Sequence, residues 1–321
     1  MTSSKPHLIL VNLGTPEAAT APAVRDFLRE FLSDPAVIDF PRWFWQPILQ
    51  GIILRTRPKR VAEAYATIWT PEGSPLRVGT QRMVAAVRER ADGRLTVSEA
   101  YRYGEPSLET AIRQAAAQHD GPIVILPLFP QRTDSTTGTA FTRAREAAQD
   151  MGLTSRLAER LVAPDDHNYV AAMVACWRDA IAQAPAMPDH LVLSYHGIPA
   201  RYDRNERHVY SRDCEATTRA FLAAIGWPAE KATHAYQSKF GPEKWLTPAT
   251  ADVLEALPGQ GVKRVAVITP GFVTDGLETI EEIGEQGRES FLHAGGEVLI
   301  RVAGVESHPS FIDALIGSAL S

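Results

Sequence analysis

Short runs of Val, Ile and Leu alternate along the chain with longer stretches in which apolar residues recur every three or four positions. The runs are His7–Leu13, Thr96–Tyr103, Ile123–Phe129, Leu191–Tyr195, Thr233–Gln237, Val262–Thr269 and Glu297–Val302. Continuous apolar runs separated by helical patterns predict parallel strands buried on both faces. The intervening periodicity predicts helices over Glu17–Leu32, Lys59–Ile68, Leu108–His119, Thr139–Asp150, Tyr169–Gln183, Arg212–Ile225, Thr247–Leu257 and Leu277–His293. This alternation is the signature of a doubly wound α/β fold. A break near Ala163–Asp166, where APDD precedes a new helix, predicts two lobes of similar rhythm.

In such folds ligands bind outside the carboxyl ends of the strands. The segments there are rich in Gly, Pro and polar groups: Asn12–Pro16, Arg102–Pro106, Pro130–Gly138, Ser194–Pro199, Gln237–Pro242 and Pro270–Asp275. No dinucleotide fingerprint, P-loop, C-x-x-C, H-E-x-x-H or nucleophile elbow occurs, which speaks against the chemistries those motifs serve. Thr136-Thr137-Gly138 reads either as a phosphate seat at a helix N-terminus or as a hydroxyl cap with a tight turn.

Charge and cysteine usage narrow the field. Of 321 residues, 33 are Lys or Arg and 38 are Asp or Glu, a net charge of −5 that predicts no nucleic-acid partner. The two cysteines, Cys176 and Cys214, provide neither a disulfide framework nor a four-thiolate zinc or iron–sulfur site, and they fit a reducing, cytoplasmic setting. Met1–Lys5 is polar and unlike a signal peptide, and no window approaches the ~20 apolar residues of a membrane span.

Three features carry candidate chemistry. His196 ends an apolar strand and precedes Gly-Ile-Pro, so the backbone turns sharply and its imidazole is expected to face the cleft, able to take protons or bind a metal. Glu278, Glu282 and Glu285 recur at i, i+4 and i+7, making an oxygen-rich ladder on one helix face, with Asp275 just ahead of it. The same residues also read as a capping box, Asp275 with Glu278, on a solvated acidic face. Trp43–Leu54, followed by Arg55, Arg57, Lys59 and Arg60, reads as a buried helix with a basic turn. It also reads as an exposed apolar lip above cations, suited to a flat apolar ligand with carboxylate arms or to a peripheral membrane contact.

Ordered blocks along nearly the whole chain resemble the ferrochelatase family. They include LILVNLGTP (8–16), FLREFLSDPAVID (27–39), ILRTRPKRVAEAYATIW (53–69), YRYGEPS (101–107), LPLFPQ (126–131), STTGT (135–139), LSYHGIP (193–199), YQSKFGPEKWL (236–246) and PGFVTDGLETIEEIGEQGRESF (270–291). The resemblance implies insertion of ferrous iron into protoporphyrin IX. It implies two Rossmann-like lobes, 1–163 and 164–307, with helix 308–320 returning to the first. The family's catalytic histidine falls on His196 and its acidic partner on Glu278, the pair expected to meet the metal. Asp275, Glu282 and Glu285 form the secondary acidic set.

Leu13, Tyr65, Arg102, Trp245 and Phe272 fall on porphyrin-lining positions, and Arg57 and Ser74 on propionate-holding ones. Iron is then substrate, with no resident cofactor and no [2Fe–2S] cluster. The chain departs from the family pattern at Arg132, Asp134 and Gly276, and over Glu206–Tyr210. Rival readings are a cobalt or nickel chelatase, whose carboxylate-rich ring calls for a more basic pocket, and a non-catalytic porphyrin carrier, which has no need of both His196 and Glu278. An apolar Leu13 favours protoporphyrin over coproporphyrin.

Overall fold

Strand β1 (His7–Asn12) is buried along its whole length and lies inside a four-stranded parallel sheet. The computed structural model describes residues 5–321; the polar start Met1–Ser4 lies outside the described residues. β1 pairs with β2 (Thr96–Tyr101) from His7↔Thr96 to Asn12↔Tyr101, and with β3 (Ile123–Pro127) from His7↔Ile123 to Val11↔Pro127. β4 (Leu157–Glu159) completes the order β2-β1-β3-β4. At three residues it is too short to register as an apolar run.

Alternation along β1 turns Ile9 and Val11 to one face. There they pack with α5 (Leu108–Gln118) and α6 (Thr139–Asp150) through Leu108, Ile112, Ala140 and Ala144. α4 (Pro75–Arg90) contacts β1 and β2. The sequence reading missed it, although Ser74 as N-cap followed by Pro75 is a start signal.

α1 (Ala21–Leu32) leads to a long helical stretch that keeps both readings of the Trp43–Leu54 segment, on different faces. α2 (Arg42–Ile48) runs into a π-helical turn, Leu49–Ile53, and then into α3 (Leu54–Ile68), with Pro47 and Pro58 inside. Trp45, Leu49, Ile53 and Leu54 are buried, and the Trp45 indole donates to the Leu32 carbonyl at 2.7 Å. Trp43, 80% exposed, stands outside with Phe40, Phe44 and Ile52.

A second compact unit, Ala163–Ala314, repeats the same topology; the first unit runs to Val162 and takes in Leu315–Ser321. Its sheet has the order β6-β5-β7-β8, all parallel, formed by β5 (His190–His196), β6 (Ala232–Gln237), β7 (Arg264–Ile268) and β8 (Val298–Arg301). α7 (His167–Gln183) packs against α9 (Val209–Ile225), with the short α8 (Ala200–Asn205) before it. α10 (Thr250–Ala256) and α11 (Arg288–His293) close a core of Val192, Ala235, Leu254, Val265, Val267 and Phe291.

The α-helix expected over Leu277–His293 is instead a ten-residue π-helix, Glu278–Gly287, followed by α11. The last helix, α12 (Pro309–Leu320), begins in the second unit and ends among residues of the first.

Candidate active site

In the second unit the chain reverses strand order between β5 and β7, the position where doubly wound sheets open a crevice. His196 is the last residue of β5 and its side chain is exposed, while the five residues before it are buried. Its Nδ1 lies 2.6 Å from the carbonyl oxygen of Gly197. A carbonyl only accepts, so Nδ1 carries the proton and Nε2 presents a lone pair. The Tyr210 hydroxyl donates to the His196 carbonyl at 2.6 Å, and the Phe272 ring, just past β7, lies 6.1 Å from the imidazole.

The turn after His196 is tightly packed. Gly197 N–H donates to the Gln237 carbonyl at 2.8 Å, and the Trp245 ring closes on the space a Cβ would fill.

Glu278 opens the π-helix and is partly buried. Burial pushes its carboxyl above the usual range. Its own backbone N–H and the nearby His196 pull it down, while Glu282 and Glu281 push it up again. With Leu277, Glu281, Glu282 and Gln286 it lines an open pocket of about 220 Å³.

This set differs from the ladder the α-helical spacing predicts. A backbone closed i→i+5 takes more residues per turn than an α-helix, so positions 278, 282 and 286 share the pocket while Glu285 lies outside its lining. Glu281 and Gln286, absent from the sequence reading, are bonded to each other at 2.6 Å.

The expected capping box of Asp275 with Glu278 is replaced. Asp275 Oδ1 accepts from Thr279 Oγ1 at 2.8 Å and from Arg301 at 2.7 Å. Glu282 is engaged by Ser238. Among the described residues, no group of three or more His, Cys, Asp or Glu side chains is arranged to hold a metal ion.

The remaining candidates divide between the units. Trp245 and Phe272 lie with His196 in the second. In the first, Leu13 follows β1 and is held by its N–H to Asn12 Oδ1 at 2.8 Å and its carbonyl to the Tyr103 N–H at 2.9 Å. Gly14 follows it at φ +113°, where a Cβ would overlap the Tyr103 carbonyl oxygen at 1.8 Å. Tyr65 is buried and meets Trp69 edge-on at 5.9 Å. Arg57 is half-buried on α3, and burial, then Arg60, lowers its pKa.

Ser74 caps α4, its hydroxyl accepting from the Arg77 N–H at 3.3 Å. Arg102 pairs with the partly buried Asp34 and donates to Thr139 Oγ1 at 2.8 Å, which fixes where its guanidinium sits. Asp34, which sequence reasoning missed, also accepts from Tyr103, Thr139 and the Ala36 N–H. In the Thr136-Thr137-Gly138 segment the Thr137 hydroxyl turns back on Thr133, donating to its carbonyl at 3.0 Å and accepting its N–H at 3.2 Å, and neither Thr133 nor Gly138 caps the helical start with a side chain.

The fold class is that of the chelatases. The chain superposes on the sirohydrochlorin chelatase SirB from Bacillus subtilis subspecies spizizenii, solved in complex with cobalt, with a TM-score of 0.56 at 12% identity, over 98% of this chain and 94% of that one. DR2241 from Deinococcus radiodurans, described as similar to chelatases, gives 0.51 at 14% identity, over 98% of this chain and 54% of that one.

Sequence relationships are more specific. The ferrochelatase family model matches residues 5–320. The ferrochelatase of Pectobacterium atrosepticum is 42% identical over 98% of both chains, and that of Vibrio vulnificus 42% identical over 97% of this chain and 96% of its own. The chain belongs to the ferrochelatase family.

Proposed function

We propose that His196 and Glu278 carry the ferrochelatase reaction of this chain, in which ferrous iron enters protoporphyrin IX and two protons leave. The observation that supports the assignment is the Nδ1 bond of His196 to the Gly197 carbonyl, which leaves Nε2 as the basic nitrogen of an exposed ring whose charge acts on Glu278. Metallation must take two pyrrole N–H protons and admit a dehydrated Fe²⁺. Nε2 of His196, the ring nitrogen left with a lone pair, accepts a pyrrole proton. The Glu278 carboxyl, held above the usual range, exchanges protons with the pocket it lines and meets the metal on its way to or from the ring.

Leu13, Arg57, Tyr65, Ser74 and Arg102 of the first unit, and Trp245 and Phe272 of the second, are the proposed porphyrin contacts. Iron is the substrate, and two cysteines leave a four-thiolate cluster without a ligand set in this chain.

The test is an anaerobic assay with protoporphyrin IX and Fe²⁺ or Zn²⁺, followed by the Soret band. His196→Ala should lose ~10²-fold or more in turnover while still binding porphyrin. Glu278→Gln should lose turnover with its melting temperature unmoved. Near-normal rates in either variant remove that residue from the mechanism, and binding without metal-dependent turnover in the wild type favours a carrier.

A second reading concerns the lip. Phe40, Trp43, Phe44 and Ile52 are exposed, and Arg42, Arg55, Lys59 and Arg60 are exposed around them. An apolar rim among cations fits a peripheral contact with an anionic lipid surface, at the cytoplasmic face of a membrane. No helix among the described residues is long and apolar enough to cross one. Flotation with phosphatidylglycerol vesicles but not phosphatidylcholine vesicles, lost in Trp43→Ser/Phe44→Ser, is the expected outcome; failure of the wild type to float refutes it.

A further inference from the structure

π-Helices are rare, and most are a single turn inside an α-helix. The one carrying Glu278 runs for ten residues, so its neighbours must supply what its own backbone does not. Three contacts brace it. Gln237, at the end of β6, donates from Nε2 to the Glu278 carbonyl at 2.8 Å. The Gln237 Oε1 accepts from the buried Ser194 hydroxyl at 2.8 Å, two residues before His196 on β5. From β8, Arg301 reaches Asp275, and its Cδ lies where a Cβ on Gly284 would come within 3.2 Å.

The third contact is Ser238. Its backbone sits at φ +63°, a conformation that glycine adopts without cost and other residues resist. In that conformation one residue engages both oxygens of a carboxylate: its N–H donates to Glu282 Oε1 at 2.7 Å and its hydroxyl to Oε2 at 2.6 Å. Charge-assisted bonds of this kind are among the stronger hydrogen bonds in proteins. Glu282 lies four residues after Glu278 and lines the same pocket.

We infer that Ser238 is a positioning residue for the reaction: its paired hydrogen bonds fix the Glu282 carboxylate and, through it, the wide helical turn that presents Glu278. Glu282 then serves as the anchor of the π-helix and not as a carrier of iron. The inference rests on the role given to Glu278 above.

Ser238→Gly isolates the effect, because glycine keeps the N–H, suits the backbone and removes the hydroxymethyl group with its one hydrogen bond. Its melting temperature should equal or exceed that of the wild type. Its kcat with protoporphyrin IX and Zn²⁺ should fall about 3- to 10-fold, the scale of a small misplacement of a reacting group. The KM for metal should not change. Combining it with Glu282→Gln should cost no more than Glu282→Gln alone, since both remove one contact.

Wild-type kcat in Ser238→Gly, or a loss that saturating metal restores, overturns the inference. Glu278→Gln measured in parallel separates the two claims. Full turnover there sinks the role of Glu278, whereas an inactive Glu278→Gln beside a fully active Ser238→Gly sinks only the anchor. If Ser238→Gly melts below the wild type, Glu282→Gln alone decides: a lower kcat at unchanged metal KM supports the anchor, and a raised metal KM refutes it.

Discussion

A Cβ on Gly197 would lie 3.0 Å from Cε3 of Trp245 and 2.7 Å from the carbonyl oxygen of Gln237. The residue whose carbonyl orients the His196 ring is thus pressed between an indole and a neighbouring strand. Gly197→Ala should destabilise the protein by about 1–3 kcal/mol, the usual cost of overpacking. It should lower kcat beyond what the remaining folded fraction explains. Thermal unfolding and turnover on the same preparation check both; an unchanged melting temperature would show that the turn yields.

Asp34 and Arg102 form a buried ion pair, with side chains 8% and 15% exposed. Burial alone would raise the Asp34 pKa. Hydrogen bonds from Thr139, Ala36 and Tyr103, together with the Arg102 charge, outweigh it and hold the carboxyl below its usual value. Asp34→Asn leaves the guanidinium without its counter-charge and should cost about 3 kcal/mol in urea unfolding at neutral pH. A loss under about 0.5 kcal/mol, the scale of a surface change, would mean that water replaces the carboxylate.

Acid should weaken the fold through two histidines. Burial, and then His119 stacked at 4.7 Å, depresses His7 to about 4; burial depresses His234 to about 4. Unfolded, each titrates near ~6.5, so between ~6.5 and about 4 the unfolded chain binds a proton that the folded chain does not. Their stabilisation is complete above ~6.5 and is lost as pH falls, by up to about 1.4 kcal/mol per pH unit for each residue. Urea midpoints across this range should fall less steeply in His7→Gln/His234→Gln than in the wild type. Parallel curves would assign the acid sensitivity to other groups.

Leu13 tests porphyrin choice. Its backbone is fastened by Asn12 and Tyr103, so a substitution changes the side chain and little else. Leu13→Tyr should shift the ratio of kcat/KM from protoporphyrin towards coproporphyrin, because a phenol hinders a vinyl edge and accommodates a more polar ring. An unchanged ratio makes Leu13 ordinary strand-end packing.

Every strand but β4, and most helices, were legible because each obeys a local period. His196 was legible because a polar residue ends an apolar run. The π-helix was not: Glu278–Gly287 carries the same alternation of apolar and acidic residues as an α-helix, and the wider turn is set by contacts with Ser238, Gln237 and Arg301. That is why Glu285 was placed in the ladder and Glu281 and Gln286 were missed. Asp34 lies 68 residues from Arg102 and 105 from Thr139 along the chain, and no periodicity reports such a meeting. Arg102 entered the sequence reading as a porphyrin-lining position, and its ion pair with Asp34 did not.

The path of the chain also orders events during synthesis. The first unit lacks Leu315–Ser321 until every residue of Ala163–Ala314 has been made. Leu315, Ile316 and Ala319 are buried, and Arg160 donates to the Ser321 carbonyl at 3.2 Å. A nascent chain on the ribosome therefore holds all of its second unit while its first still waits for the closing segment. The half made earlier is the half finished last, and its exposed apolar surface must be tolerated for the whole interval.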